Sequence, residues 1–127
     1  MNTQETIDKF LNLFPDCLFV YNNHVNDYGE LLEHVFFGEV INKPLFDLLK
    51  SNKETDKIEK YISFIECMAF QGDEAVQNVV DVTILERLSD DEDVWNNLGK
   101  YISEDFRNYI NNELLNQNFA MWHVKMI

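Results

Sequence analysis

The chain has 127 residues, 46 % of them apolar and including ten Phe, five Tyr and two Trp, which suffices for one self-standing core without disulfide or metal staples. Only four Gly and two Pro are present, so turn-forming material is scarce and helices are favoured over a disordered or loop-rich chain. Acids outnumber bases 23 to 10, for a net charge of −13; a field of that sign repels phosphate backbones and anionic lipid surfaces, excludes nucleic acid and membrane as expected partners, and attracts a basic protein.

Asn2 followed by Glu5 has the pattern of a capping box, and Ile7, Phe10, Leu11 and Phe14 recur at helical spacing until Pro15, which predicts a first helix. From Pro15 onward Leu18, Tyr21, Val25, Tyr28, Leu32 and Val35 alternate steps of three and four, a second helix with Asn22-Asn23 or Gly29 as its weak point. Gly38 reads as a break and Pro44 as a fresh first turn, with Leu45, Leu48 and Leu49 as the stripe of a short helix ending at Ser51-Asn52. Between Lys53 and Phe70 the apolar Ile58, Tyr61, Ile62, Ile65 and Met68 lie on one face, opposite Glu54, Lys57 and Lys60.

Gln71-Gly72-Asp73 is a C-cap glycine followed by an N-cap acid, the signature of a tight corner between helices. The segment 74–88 predicts a helix, although its β-branched residues also permit a strand from Val79 to Leu85. Ser89-Asp90 caps a short helix through Val94, Trp95 and Leu98, and Ser103 caps a last one through Phe106, Tyr109, Ile110 and Leu114, ended by the Asn-rich stretch 111–118. The apolar residues 119–127 are expected to pack onto the rest as a strand or short helix. The expected fold is therefore all-α: a single domain over 1–127, built as a bundle of about six helices or as stacked helical pairs resembling HEAT-type repeats.

No basic segment followed by an apolar one opens the chain, and no apolar run approaches the roughly 18 residues that span a bilayer. Cys17 and Cys67 have neither CxxC spacing nor a neighbouring His, which fits buried thiols in a reducing cytoplasm. The acids are unevenly spread. Between Lys9 and Lys43 every charge is acidic, namely Asp16, Asp27, Glu30, Glu33 and Glu39, and a second unrelieved run leads from Glu66 through Asp73, Glu74 and Asp81 to Glu86. Asp90-Asp91-Glu92-Asp93 follow, while bases gather at Lys50, Lys53, Lys57 and Lys60. The molecule is expected to carry a negative side.

Signatures of common hydrolases, nucleotide-binding proteins and calcium loops are missing: there is no HExxH, GxSxG, GxxxxGK[ST], GxGxxG or EF-hand loop. Glu30 and His34, four apart, form the best metal candidate, with Glu33 and His24 in reach, but the Glu-x-x-His pairs of a di-iron bundle are lacking. Neither a metal, nor another cofactor, nor a catalytic residue is predicted. Acids interleaved with Tyr28, Trp95 and Asn78 instead have the composition of a protein interface, aromatics supplying area and charges supplying steering.

The run Glu30-Leu31-Leu32-Glu33-His34-Val35-Phe36-Phe37-Gly38-Glu39, followed by Val76-Gln77-Asn78-Val79-Val80-Asp81-Val82-Thr83-Ile84-Leu85-Glu86 after an acidic corner, resembles a family of small bacterial helical proteins. These act as immunity proteins in polymorphic toxin systems, including contact-dependent growth inhibition. The resemblance spans residues 15 to 115 and implies a cytoplasmic protein, not an enzyme, that binds and neutralises a cognate basic toxin domain, often a nuclease.

The partner-binding residues expected on this reading are Asp27, Tyr28, Glu30, Glu33, His34, Asp73, Glu74, Asn78, Asp81, Asp90, Asp91, Glu92, Asp93 and Trp95. Reversing charge at Asp73 and Glu74, or at Asp90 to Asp93, is expected to slow association and leave the fold intact. The alternative is an acidic adaptor or DNA-mimic regulator, whose carboxylates imitate phosphates along a strip.

Overall fold

The computed structural model describes residues 1–116 of the chain; the expectation for 119–127 lies outside them. Helix α1, Thr3–Leu13, starts with the anticipated capping box: Glu5 N–H donates to Asn2 Oδ1 at 2.8 Å and Asn2 N–H to Glu5 Oε1 at 3.0 Å. Pro15–Cys17 forms a single 3₁₀ turn that redirects the chain into α2, Leu18–Tyr28. Gly29 closes α2 in the left-handed conformation (φ 75°), which separates it from the next helix.

Helix α3 spans 33–51 without interruption, as Glu33–Phe37, a π-helical turn Gly38–Asn42, and Lys43–Ser51. Gly38 is thus not a break. The wide turn lies where the ring of Pro44 would otherwise meet the carbonyl four residues earlier, so widening the helix there lets a proline stand inside it. Asn52, in the left-handed region (φ 53°), ends α3 as anticipated.

Helix α4 is Thr55–Gln71, and α5 covers 74–88 as Glu74–Asn78, a second π-helical stretch Val79–Leu85, and Glu86–Leu88. The β-branched run therefore forms neither a strand nor a regular α-helix but a widened one. Helices α6, Glu92–Leu98, and α7, Glu104–Asn116, complete seven helical segments, and no strand occurs among the described residues. The N-cap of α6 is Asp91 rather than Ser89-Asp90, since Val94 N–H donates to Asp91 Oδ1 at 3.0 Å. Ser103 caps α7 through Phe106 N–H at 3.1 Å.

The core is one contiguous cluster. At its centre Phe10 stacks on Phe14 (ring centroids 4.7 Å apart) and meets Phe36, Phe37 and Phe64 edge-on at 5.3 to 6.2 Å, arrangements that add to the apolar area each ring removes from water. Helix α3 packs against α4, α5 and α6, and α1 reaches across to α5. Contacts between helices distant in sequence mark a bundle; in a repeat stack each unit touches only its neighbours.

The two π-helical stretches lie side by side. Asn42, in the first, donates from Nδ2 to Ile84 O at 3.1 Å and Thr83 O at 3.4 Å in the second, and His34 Nδ1 lies 2.5 Å from Thr83 Oγ1.

The corner between α4 and α5 depends on Gly72 for space, because a Cβ there would collide with the Met68 carbonyl and the Val76 side chain. Backbone cannot swing aside as a lysine tip can, so Gly72→Ala should lower stability by about 1–3 kcal/mol in urea unfolding with an unchanged m-value.

Candidate partner-binding face

Helix α2 is thinly attached to the bundle. Its inward stripe, continued from Cys17 in the 3₁₀ turn, is Val20, Tyr21 and His24, of which His24 alone is fully buried. The ring of His24 meets Phe36 edge-on at 5.7 Å, and its Nε2 accepts Leu32 N–H at 2.9 Å, tethering the turn 29–32 to α2. That bond requires the neutral imidazole with its proton on Nδ1. Leu18, Tyr28 and Val35, expected to face inward, are instead 50 %, 53 % and 43 % exposed. The stripe does not continue across Gly29, where the axis changes.

Opposite His24, the outward face of α2 carries Phe19, Asn22, Asn23 and Asn26, all exposed, brought together by steps of three and four. Phe19 is 72 % exposed, the most open of the large apolar side chains among the described residues. Asp16 and Asp27 flank this face, exposed like Glu30 in the turn beyond, and no base lies between Lys9 and Lys43 in the chain. Sequence reading missed Phe19 because one aromatic outside the periodic stripe leaves no signal.

Beside the start of α2 a cleft of about 560 Å³ opens between the 3₁₀ turn, the end of α3 and the start of α4. Phe14 and Tyr61 stack in it at 4.6 Å, and Lys60 Nζ lies 4.5 Å over the Phe14 ring. Burial, and secondarily the charge of Asp16, push the Cys17 thiol up, so it stays protonated and a poor nucleophile.

The acidic corners are largely occupied by structural duties. Asp73 caps α5 through Val76 N–H at 3.1 Å. Asp91 caps α6 and pairs with Lys50 at 2.9 Å, and Asp93 shares the same ammonium at 3.3 Å. The hydrogen bond from Lys50, then that from Val94 N–H, hold the Asp91 carboxyl below its ordinary range. Reversing charge at Asp73 or Asp91 would remove a helix cap, worth about 1 kcal/mol, so the expectation of an undisturbed fold holds only for the exposed Glu74, Asp90 and Glu92.

Asp81 accepts the Tyr109 hydroxyl at 2.7 Å in a recess of about 660 Å³ shared with Glu74, Gln77, Asn78 and Glu113. Burial raises the Asp81 carboxyl to about 7, against the Tyr109 bond and with the help of the neighbouring Glu113. Burial and Asp81 in turn raise the Tyr109 phenol.

Three expected contact residues change role. Trp95 is 0 % exposed and belongs to the core, so it cannot anchor a partner; its place in the inward stripe with Val94 and Leu98 outweighs any interface use. Half-buried His34 is taken up by Thr83, and Glu33 stands half-buried in the first turn of α3. Glu30 precedes α3, so the one-turn spacing with His34 that a metal pair needs is not formed. Among the described residues no group of three or more His, Cys, Asp or Glu is arranged to hold a metal ion, and no helix is long and apolar enough to cross a membrane. Asp27, Tyr28 and Glu30 are thus gathered at one end of α2, apart in the chain from the corners at 73–81 and 90–93.

Residues 7–118 match the family described as Domain of unknown function (DUF7674). The chain belongs to that family. No curated protein and no solved structure matches it. The DUF7674 match runs from α1 through α7 and so includes the α2 face, both π-helical stretches and both acidic corners.

The raised Asp81 carboxyl sets a pH dependence for the DUF7674 domain. Its folded-state value lies above its ordinary one, so the fold binds the proton more tightly than the unfolded chain; the contribution is full below pH 4 and is lost as pH rises through about 7. Asp81→Asn keeps the acceptor for Tyr109 and should raise stability at pH 8 by about 1 kcal/mol or less, given solvent screening of this half-exposed group, with no gain at pH 4. Thermal melts at both pH values check it.

Proposed function

We propose that this DUF7674 domain is a cytoplasmic immunity protein that binds and neutralises a cognate basic toxin domain, with a nuclease as the toxin class. The observation that carries the reading is the outward face of α2: Phe19 at 72 % exposure among three exposed asparagines, flanked by acids, in a stretch without a base. An aromatic anchor surrounded by amides gives contact area at small entropic cost, and the surrounding negative field speeds capture of a basic surface. Nucleases suit that partner chemistry because a phosphate-binding groove must be basic. The resemblance of 30–39 and 76–86 to immunity proteins agrees with the same reading. Asp16, Asp27, Tyr28 and Glu30 are the residues placed to contribute; Glu74, Asp90 and Glu92 contribute long-range field.

The test is co-expression with toxin domains from the neighbouring genes, followed by kinetics on the pair that protects. Phe19→Ala should weaken binding at least about tenfold, or 1.4 kcal/mol, mainly through faster dissociation, and Asp27→Lys should slow association at low salt. Both side chains are exposed, so melts should be unchanged. Wild-type affinity in both variants would remove α2 from the interface, and failure to protect against any neighbouring toxin would defeat the immunity reading. Capture of a chromosomal DNA-binding protein in place of a toxin would move the function to DNA mimicry.

A further inference from the structure

A second concavity, independent of the α2 face, lies over the π-helical turn of α3. It encloses about 470 Å³, with Asn42 and Gly38 from that turn, Lys43, Phe46 and Asp47 following it, and Arg87 and Asp90 from the end of α5 and beyond. Asn42 is only 5 % exposed. Both amide hydrogens are directed at the carbonyls of Thr83 and Ile84, which settles its orientation, and Oδ1 is buried without a hydrogen-bond partner among the described residues. A buried acceptor in that state is destabilising unless a donor arrives. With Nδ2 turned to α5, Oδ1 is the unpartnered end of the amide; it is enclosed, so a ligand donor reaches it only by shifting the exposed side chains that line the cleft above it.

The charged side chains around Asn42 are exposed and make no ion pairs among the described residues. Among the described residues the ion pairs are Lys50 with Asp91 and Asp93, and Lys57 with Glu54; Lys43, Arg87, Asp47 and Asp90 take part in none. Gly38 is buried, and a Cβ there would strike the Arg87 Nη1, so the glycine is what allows the guanidinium to lie against α3. A plain anion in this cleft would face two carboxylates, and a plain cation two bases. A molecule that carries both signs satisfies all four groups, and Phe46, half-buried, offers an apolar wall beside them.

We infer that the cleft over the π-helical turn binds a small zwitterion of the α-amino-acid type. Its carboxylate engages Arg87 and Lys43, its ammonium faces Asp47 and Asp90 and gives one N–H to Asn42 Oδ1, and its side chain lies along Phe46. The π-helical turn then has a use beyond accommodating Pro44, in keeping with the frequent occurrence of such turns at functional sites.

Calorimetric titration of the full chain with standard L-amino acids, one at a time, tests this, together with NMR of the Asn42 amide and the Arg87 Nε–H. One or more amino acids should bind one-to-one and shift both signals. The N-acetylated form of the best binder, its decarboxylated amine, and inorganic phosphate should each bind at least about tenfold more weakly. Gly38→Ala meets only the far end of a flexible side chain, so it should keep its helical circular dichroism while losing at least about tenfold in affinity; Arg87→Met should do the same. No saturable binding at about 1 mM of any amino acid, equal binding of the N-acetylated form or of phosphate, or full affinity in both folded variants would overturn the assignment.

Discussion

Two widened helical stretches, Gly38–Asn42 and Val79–Leu85, run side by side, and their mutual locking is what the rest of the molecule depends on. Each is the middle of a long helix, and each would be a weak point alone, because i→i+5 turns are poorly stable without tertiary support. Asn42 and His34 reach across to the Thr83–Ile84 backbone and the Thr83 hydroxyl, so a polar network inside an apolar core defines one register between α3 and α5. A fully apolar contact would permit sliding; directed hydrogen bonds do not. Once that register is set, Phe36 and Phe37 face Phe10 and the aromatic cluster closes over α1.

The far end of α3 is secured by a second, polar set of contacts. Asn97 donates to the Leu49 carbonyl at 2.8 Å, and Lys50 gathers Asp91 and Asp93. Those acids stabilise the start of α6 by capping and by favourable placement at the positive end of its dipole. The most conspicuous charge block of the chain is thus in part a fastening between helices. Its exposed remainder contributes to the field of a molecule at −13, which any basic partner would meet before touching it.

Helix α2 contrasts with both. It spends one fully buried residue, His24, on the bundle and leaves an aromatic and several amides outside. A helix so placed is held by short connections, Pro15–Cys17 on one side and the Gly29 turn tethered by His24 on the other, and its outward face stays exposed. Stability is concentrated in α3, α4 and α5, and the recognition proposed for this protein falls on the exposed face of α2, where substitution leaves the core untouched and surface residues can vary without loss of the fold.

Local patterns were legible because they act over one or two turns. The Asn2–Glu5 capping box, the Asn52 stop, the Gly72-Asp73 corner, the long α4 stripe and the all-α class follow from hydrogen bonding and spacing within a few residues; Gly29, one of two weak points in a helix expected to continue to Val35, ends α2 outright. What could not be read there needed a neighbour from elsewhere in the chain. Gly38 looked like a break, and became the seat of Arg87 inside a continuous helix only because α5 lies against it. The run Val79–Leu85 stood between strand and helix, and Asn42 from α3 is what supports it as a widened helix. Trp95 looked like an anchor, and lies in the core because α6 turns it inward against the bundle. Phe19 was not singled out, since exposure belongs to the assembled surface and not to the residue. Short-range hydrogen bonds are written in neighbouring residues, whereas burial, pairing and exposure depend on which distant side chains arrive.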